Sequence, residues 1–313
     1  AKEVIDLGKT FELSLSNVQA LSGASADDME RLEAKSRELG GTTTFSAAQV
    51  ADAFGYMALA GWDTEQSLDA INGVLTLAQA GSMDLASASD LLTDYLSAFS
   101  MQASDAATMT DVLAYAQGNA NTNVEQLGAA FKNCAANCNA AGMDVQTTTA
   151  FISELSNQGL KGSEAGTALN AVMRDMTAKM SDGAIKIGET SVAVMDASGN
   201  YRDMVDIMRD VESATNGMGD AEKASALQST FTADSIKGLN LILNAGTDEL
   251  GSFRDELYNS NGAAQDMAAT MTDNLAGDLS NLDSALEEVG LKLYDKFKEP
   301  LREGVQVISN DVV

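Results

Sequence analysis

The sequence predicts a mainly α-helical protein: a multi-helix bundle of stacked helical hairpins with one small β-hairpin near residues 190–202 and a long C-terminal helix. Three observations carry this. Apolar residues recur at helical spacing, between short polar turns, along most of the 313 residues. The only proline, the residue that breaks helix interiors, is Pro300, close to the end. Hydrophobic residues make up 45% but aromatics only 5%, with 26 glycines, so the core draws on small side chains that let helices approach closely.

Taken in order, KEVIDLGKTFELSLSNVQALSG places Val4, Ile5, Leu7, Phe11, Leu15 and Val18 near helical spacing and stops at Gly23. DDMERLEAKSRELGG carries acids first, bases later and glycines behind, the order that complements a helix dipole. SAAQ at 46–49 is a capping-box pattern ahead of Val50, Phe54 and Met57. Gly61 ends that helix and Thr64 caps the next. Between them stands Trp62, the only tryptophan, read as the bulky plug of a helix–helix corner. TNVE at 122–125 reads as a second capping box. Further helices fall at about 84–99, 104–117, 123–140, 145–158 and 164–180.

TSVAVMDASGNYRDM, 190–204, brings β-branched residues and a turn, hence a hairpin of roughly 190–195 with 200–202. Helices resume near 203 and 220. A last helix is expected from about 263 to 298, with Met271, Leu275, Leu279, Leu282, Leu286, Val289, Leu293 and Phe297 as its apolar stripe and Pro300 as its end. Spacings of three and four suit an antiparallel bundle or a coiled coil. SAAQVADAF (46–54) echoes NVEQLGAAF (123–131), and AGWDTEQSLDAI (60–71) echoes AGMDVQTTTAFI (141–152), with Met143 in the place of Trp62. The chain divides accordingly into a helical segment 1–41, hairpin repeats 42–182, a hairpin-plus-helices segment 183–262, the amphipathic helix 263–299 and a tail 300–313.

Little here points to chemistry. There is no histidine, which removes the usual general base and the commonest metal ligand. Cys134 and Cys138 share one helix face and read as small core residues; a reactive thiol needs a cation beside it, and only Lys132 is near in sequence. GLKGSEAG (159–166) fails as a phosphate loop because Gly162 separates Lys161 from Ser163. Asp196, Ser198 and Asn200 have calcium-loop spacing, but Tyr201 stands where glycine is needed and Ile207 where glutamate is needed, so a tight turn is expected. No catalytic, cofactor-binding or metal residue is assigned, no cofactor is implied, and the chain is expected not to be an enzyme.

Acidic residues outnumber basic ones 46 to 19, for a net charge of −27. That field disfavours nucleic acid and anionic membranes, and it suits solubility or a basic protein partner. No apolar run is long enough to cross a bilayer and no leader peptide opens the sequence, which reads as a piece of a longer chain.

SNVQALSGASADDMERLEAKSRELGGTTTFSAAQVADAFGYMALAGWDTEQSLDAINGVLTLAQAG closely resembles the core of phage tail tape measure proteins of the TP901 type. The likeness continues through GNANTNVEQLGAAFK, GLKGSEAGTALNAVM, MDASGNYRDMVDIM and DNLAGDLSNLDSALEEVGLKLYD, about residues 10 to 300. The resemblance implies a structural part of a phage, prophage or tail-like bacteriocin, acting in tail length determination, tail assembly and genome ejection. It implies the tail tube protein, assembly chaperones and baseplate or tail-tip proteins as partners, and a place in the virion tail, at its lumen or tip, after assembly in the host cytoplasm. Self-association through the 263–298 helix is a further expectation, and direct nucleic-acid binding is not expected. The many short helices predict a compact body rather than a straight tape. The alternative is a stand-alone acidic helical adaptor that binds a protein partner.

Overall fold

A computed structural model of the protein describes residues 2–312, and the side chains of residues 2–307. In chain order the helices are α1 (Lys2–Ser22), α2 (Ala26–Gly40), α3 (Ala47–Leu59), α4 (Thr64–Ala80), α5 (Leu85–Ala98), α6 (Ala106–Asn119), α7 (Val124–Ala140), α8 (Val145–Asn157) and α9 (Ser163–Lys179). The strands β1 (Ala184–Ile187) and β2 (Thr190–Ala193) follow. Then come α10 (Met204–Thr215), α11 (Asp220–Leu227), α12 (Ala233–Ala245), α13 (Thr247–Tyr258), α14 (Ala263–Thr272), α15 (Leu275–Asp295) and α16 (Lys298–Val312). The chain is mainly α, as its periodicity predicts. It forms two compact units, one from residues 1–93 with 268–313 and the other from 94–267.

The helix boundaries follow from local chemistry. Ser46 accepts from the Gln49 N–H while the Gln49 side chain accepts from the Ser46 N–H, a closed capping box. At the next start the cap is Asp63, paired reciprocally with Gln66, and Thr64 is the first helical residue rather than the cap. The carboxylate is an equally short acceptor one residue earlier, and the reciprocal Gln66 fixes the choice. At α7 the cap is likewise Asn123, accepting from Gln126, rather than Thr122 with Glu125.

Trp62 closes a corner that recurs along the chain. Gly61 takes a left-handed φ of +88°, its N–H reaches the Ala58 carbonyl, and the Trp62 N–H reaches the Met57 carbonyl. This Schellman geometry satisfies the last carbonyls of α3 and seats an apolar residue one position beyond the turn. Met83, Met101, Met143 and Leu160 occupy the same position after α4, α5, α7 and α8, donating to Ala78, Leu96, Cys138 and Leu155. The two stretches that echo each other in sequence thus build one turn twice. Trp62, Met83 and Met101 are half-buried, whereas Met143 and Leu160 are buried.

The β-hairpin is present but displaced from the sequence expectation. Residues 190–193 pair with 184–187, not with 200–202, which contribute only an isolated Met195–Tyr201 bridge. The strand that the sequence reading missed, Ala184–Ile187, is short and contains a lysine. It buries Ile185 and Ile187 and turns at Gly188, φ +59°. The loop after β2 is the expected tight turn: Asp196 Oδ1 accepts from the Ser198 and Asn200 N–H groups at 2.8 and 2.9 Å.

The first unit centres on Phe11, Ala47, Ala51 and Leu291, from α1, α3 and α15. In the second, α9 crosses α7 so closely that Gly166 lies against the Ala130 backbone. Phe131 of α7 receives Tyr95 and Phe99 edge-on, with ring centroids 5.2 and 5.3 Å away. Helix α9 is tied to α12 by Asp175, a buried carboxylate that accepts from the Thr232 N–H (2.8 Å), the Thr232 hydroxyl (2.6 Å) and the Ser235 hydroxyl (2.6 Å).

Candidate interaction surface

None of the residues that the sequence singles out for possible chemistry assembles into a reactive centre. Cys134 and Cys138 are buried on α7 with free thiols, while Lys132 is exposed. The neighbouring Cys138 and burial together push the Cys134 thiol well up from its ordinary value, the opposite of an activated nucleophile. Lys161 donates to Asn121 Oδ1 at 2.6 Å, Gly162 is the N-cap of α9 with a φ of +55°, and Ser163 is its first residue. Among the described residues there is no group of three or more metal-ligating side chains. No described helix is long and apolar enough to cross a membrane.

The feature that stands out is α15. The stripe that the periodicity marks as core lies outside. Met271, Leu275, Leu279, Leu282, Leu286, Val289, Leu293 and Phe297 are all exposed, from 42% for Met271 to 73% for Leu275. The stripe continues along α16 through Leu301, Val305 and Val307. The expected single helix is also interrupted. Asn274 caps α15 by accepting from the Ala276 and Gly277 N–H groups, which separates α14 from α15. A second break precedes α16, and Pro300 sits in the first turn of α16 instead of ending a helix, a position where its missing N–H costs nothing.

The opposite face of α15 explains the inversion. Gly277, Ser284 and Leu291 recur every seven residues and are buried together with Tyr294. Gly277 closes against the Thr272 backbone at the end of α14, and the C-terminal part of α15 lies close on α1. The Tyr294 ring covers Gly8 so tightly that a Cβ there would come within 2.3 Å of it, and one on Gly290 would come within 2.8 Å of Leu7 Cδ2. Burial, with Glu12 nearby, raises the Tyr294 phenol above its ordinary value. Arg37 fixes the far end, bonding both Glu33 and Asp295 (3.1 and 3.0 Å) while stacked 5.0 Å over the Phe11 ring.

An open groove of about 1070 Å³ lies in the same unit. Ile5, Leu15 and Met29 form its apolar wall, Leu301 and Val305 its α16 side, and Glu12, Glu33, Lys9 and Arg302 line its mixed-charge border. A long leucine face beside such a groove supplies apolar area for protein contact.

The description "phage-related minor tail protein" belongs to a family whose domain matches residues 33–231, well over half of the chain. The chain is 32% identical, over 95% of its length, to a tape measure protein of Pneumococcus phage Dp-1, of which it covers 26%. It is 27% identical, over 98% of its length, to a probable tape measure protein of Escherichia phage P2, covering 38% of that protein. A probable tape measure protein of Clostridium phage phiCD119 is 19% identical over 97% of the chain, which covers 33% of it. The chain therefore spans between a quarter and two fifths of the relatives it matches. No solved structure matches it. The chain belongs to the family of phage-related minor tail proteins.

Proposed function

We propose that the chain is a folded segment of a phage tail tape measure protein, in a virion tail, and that it acts in tail assembly and genome ejection while other parts of the parent protein set length. The supporting observation is likeness over nearly the whole chain to tape measure proteins of phages from three different hosts. The role is structural and non-enzymatic. The tail tube protein, assembly chaperones and baseplate or tail-tip proteins are its partners, met in the tail lumen or at the tip and, during assembly, in the host cytoplasm. The net charge of −27 suits a protein that must not grip the DNA beside it.

The fold supplies the argument about length. As one continuous helix, 313 residues reach about 470 Å at 1.5 Å per residue. The longest helices here have 21 residues, about 32 Å each, and the chain turns back between them. Deleting this segment in frame from the parent protein is therefore expected to leave the length of any completed tails nearly unchanged in electron micrographs. Tails shorter by about 470 Å would show that the segment itself is tape.

A further inference from the structure

We propose that two copies of this chain pair through α15 as an antiparallel two-helix coiled coil. The inference rests on the exposed face of α15 and is independent of the tape measure reading.

Leu275, Leu279, Leu282, Leu286, Val289 and Leu293 alternate spacings of four and three without interruption, the seam of a two-helix coiled coil. All six are exposed, while Gly277, Ser284 and Leu291 behind them are buried, Gly277 against the Thr272 backbone and Leu291 in the core of the first unit. The helix is thus fixed in place with its leucines turned outward, ready for a like face.

The residues flanking the seam select the occupant and its direction. One edge carries Asp278, Ala285 and Lys292; the other carries Ala276, Asp283 and Gly290. In an antiparallel pair about a two-fold axis near Ala285, Asp278 faces Lys292 of the second copy, and the contact occurs twice. In a parallel pair Asp278 faces Asp283 of the second copy, also twice, and repels it. Lys292 is available for the cross-pair: its side chain is 70% exposed and, among the described residues, paired with Glu288 at 3.5 Å within its own helix. Ala276, Ala285 and Gly290 keep the edges narrow, so the two helices can approach closely. Only the central Asp283, facing its own counterpart, opposes the antiparallel pair.

Two chains of charge −27 repel at long range. Salt screens that repulsion and leaves the leucine seam intact, so association strengthens as sodium chloride rises.

Sedimentation equilibrium on the 313-residue chain tests the proposal, with circular dichroism to confirm that each variant is folded. Leu286→Asp alters an exposed residue, so the fold is expected to survive while the dimer constant weakens at least about 100-fold. Asp278→Lys and Lys292→Asp are each expected to weaken the dimer about 5- to 10-fold, and the double variant D278K/K292D to restore it. The Asp278→Lys result is the sharpest, because removing negative charge from an acidic chain otherwise favours association. Asp283→Asn is expected to strengthen the dimer a few-fold. A chain that stays monomeric at high salt and high concentration overturns the proposal and leaves the face to another tail component. A dimer that Asp278→Lys strengthens is parallel, and overturns it as well.

Discussion

Replacing Gly166 with alanine is expected to destabilise the second unit by about 2 kcal/mol or more, against the intrinsic preference of a helix for alanine. A Cβ at Gly166 would lie 2.2 Å from the Ala130 carbonyl oxygen and 2.7 Å from the Ala130 Cα. These are backbone atoms of α7 and cannot rotate away, so α7 and α9 must separate and Phe131, Leu169 and their neighbours lose contacts. Overpacking of this kind costs about 3 kcal/mol, and the gain in helix propensity offsets only about 1 kcal/mol of it. Gly55→Ala in α3 is the matched control. Its Cβ would find its nearest neighbour, Leu21 Cδ1, at 3.6 Å, an ordinary contact. That variant is expected to gain up to about 1 kcal/mol. Urea unfolding read by circular dichroism should therefore shift in opposite directions for the two substitutions. Equal shifts of one sign would show that the approach of α9 to α7 is looser than described.

Asp175→Ala is expected to cost about 3 kcal/mol near neutral pH. The carboxylate is buried between α9 and α12, and its removal leaves the Thr232 N–H with no acceptor at a helix start. Burial by itself raises the Asp175 pKa. The hydrogen bonds from Ser235, from the side chain and backbone of Thr232, and from Arg174 together outweigh burial and hold it well below the ordinary carboxylate range. A carboxylate whose pKa is lower in the folded state than in the unfolded one contributes stability above the unfolded value, near 4, and loses it as pH falls further. The stability difference between the native chain and Asp175→Ala should thus be constant from about pH 5 to 8 and shrink below about pH 4. Asp175→Asn keeps the volume and one acceptor, so it should fall between the two at pH 7. A difference that grows as pH falls would mean that Asp175 is held protonated in the folded chain.

Much of this architecture was legible in the sequence, for identifiable reasons. Helices such as 124–140 and 145–157 were found because a glycine turn, an Asx cap and an apolar rhythm all agree at their ends. The corner role of Trp62 was readable because Met143 repeats it in an equivalent context. The strand at 184–187 was not readable: four residues with one lysine carry too little alternation to compete with the stronger β-branched run after them. The break at Asn274 was hidden because the apolar rhythm runs straight across it, from Met271 to Leu275, while a side-chain cap ends the backbone pattern.

The face of α15 is the instructive case. Periodicity located its leucines correctly but says nothing about which side a helix turns inward. Ordinarily the apolar side is buried. Here Gly290 of α15 and Gly8 of α1 allow those two helices to approach, with Leu291 and Tyr294 as anchors, and the larger apolar stripe is left over. A seam of small residues has almost no hydrophobicity signal, so composition-weighted reasoning passes over it. The surplus leucines are the trace it leaves.

If this segment works as a folded multi-helix body and not as extended tape, its tertiary contacts persist in the assembled tail. Arg37 and Asp295 report on those contacts: they touch at 3.0 Å, although 258 positions separate them in sequence. In a continuous helix they would stand about 390 Å apart, within one copy or between copies in register. Cysteines replacing both, treated with a bismaleimide spanning roughly 10 Å, should crosslink in assembled tails as efficiently as in the isolated chain. Efficient crosslinking in the isolated chain with none in intact tails would contradict the account, because the segment would then unfold to be measured.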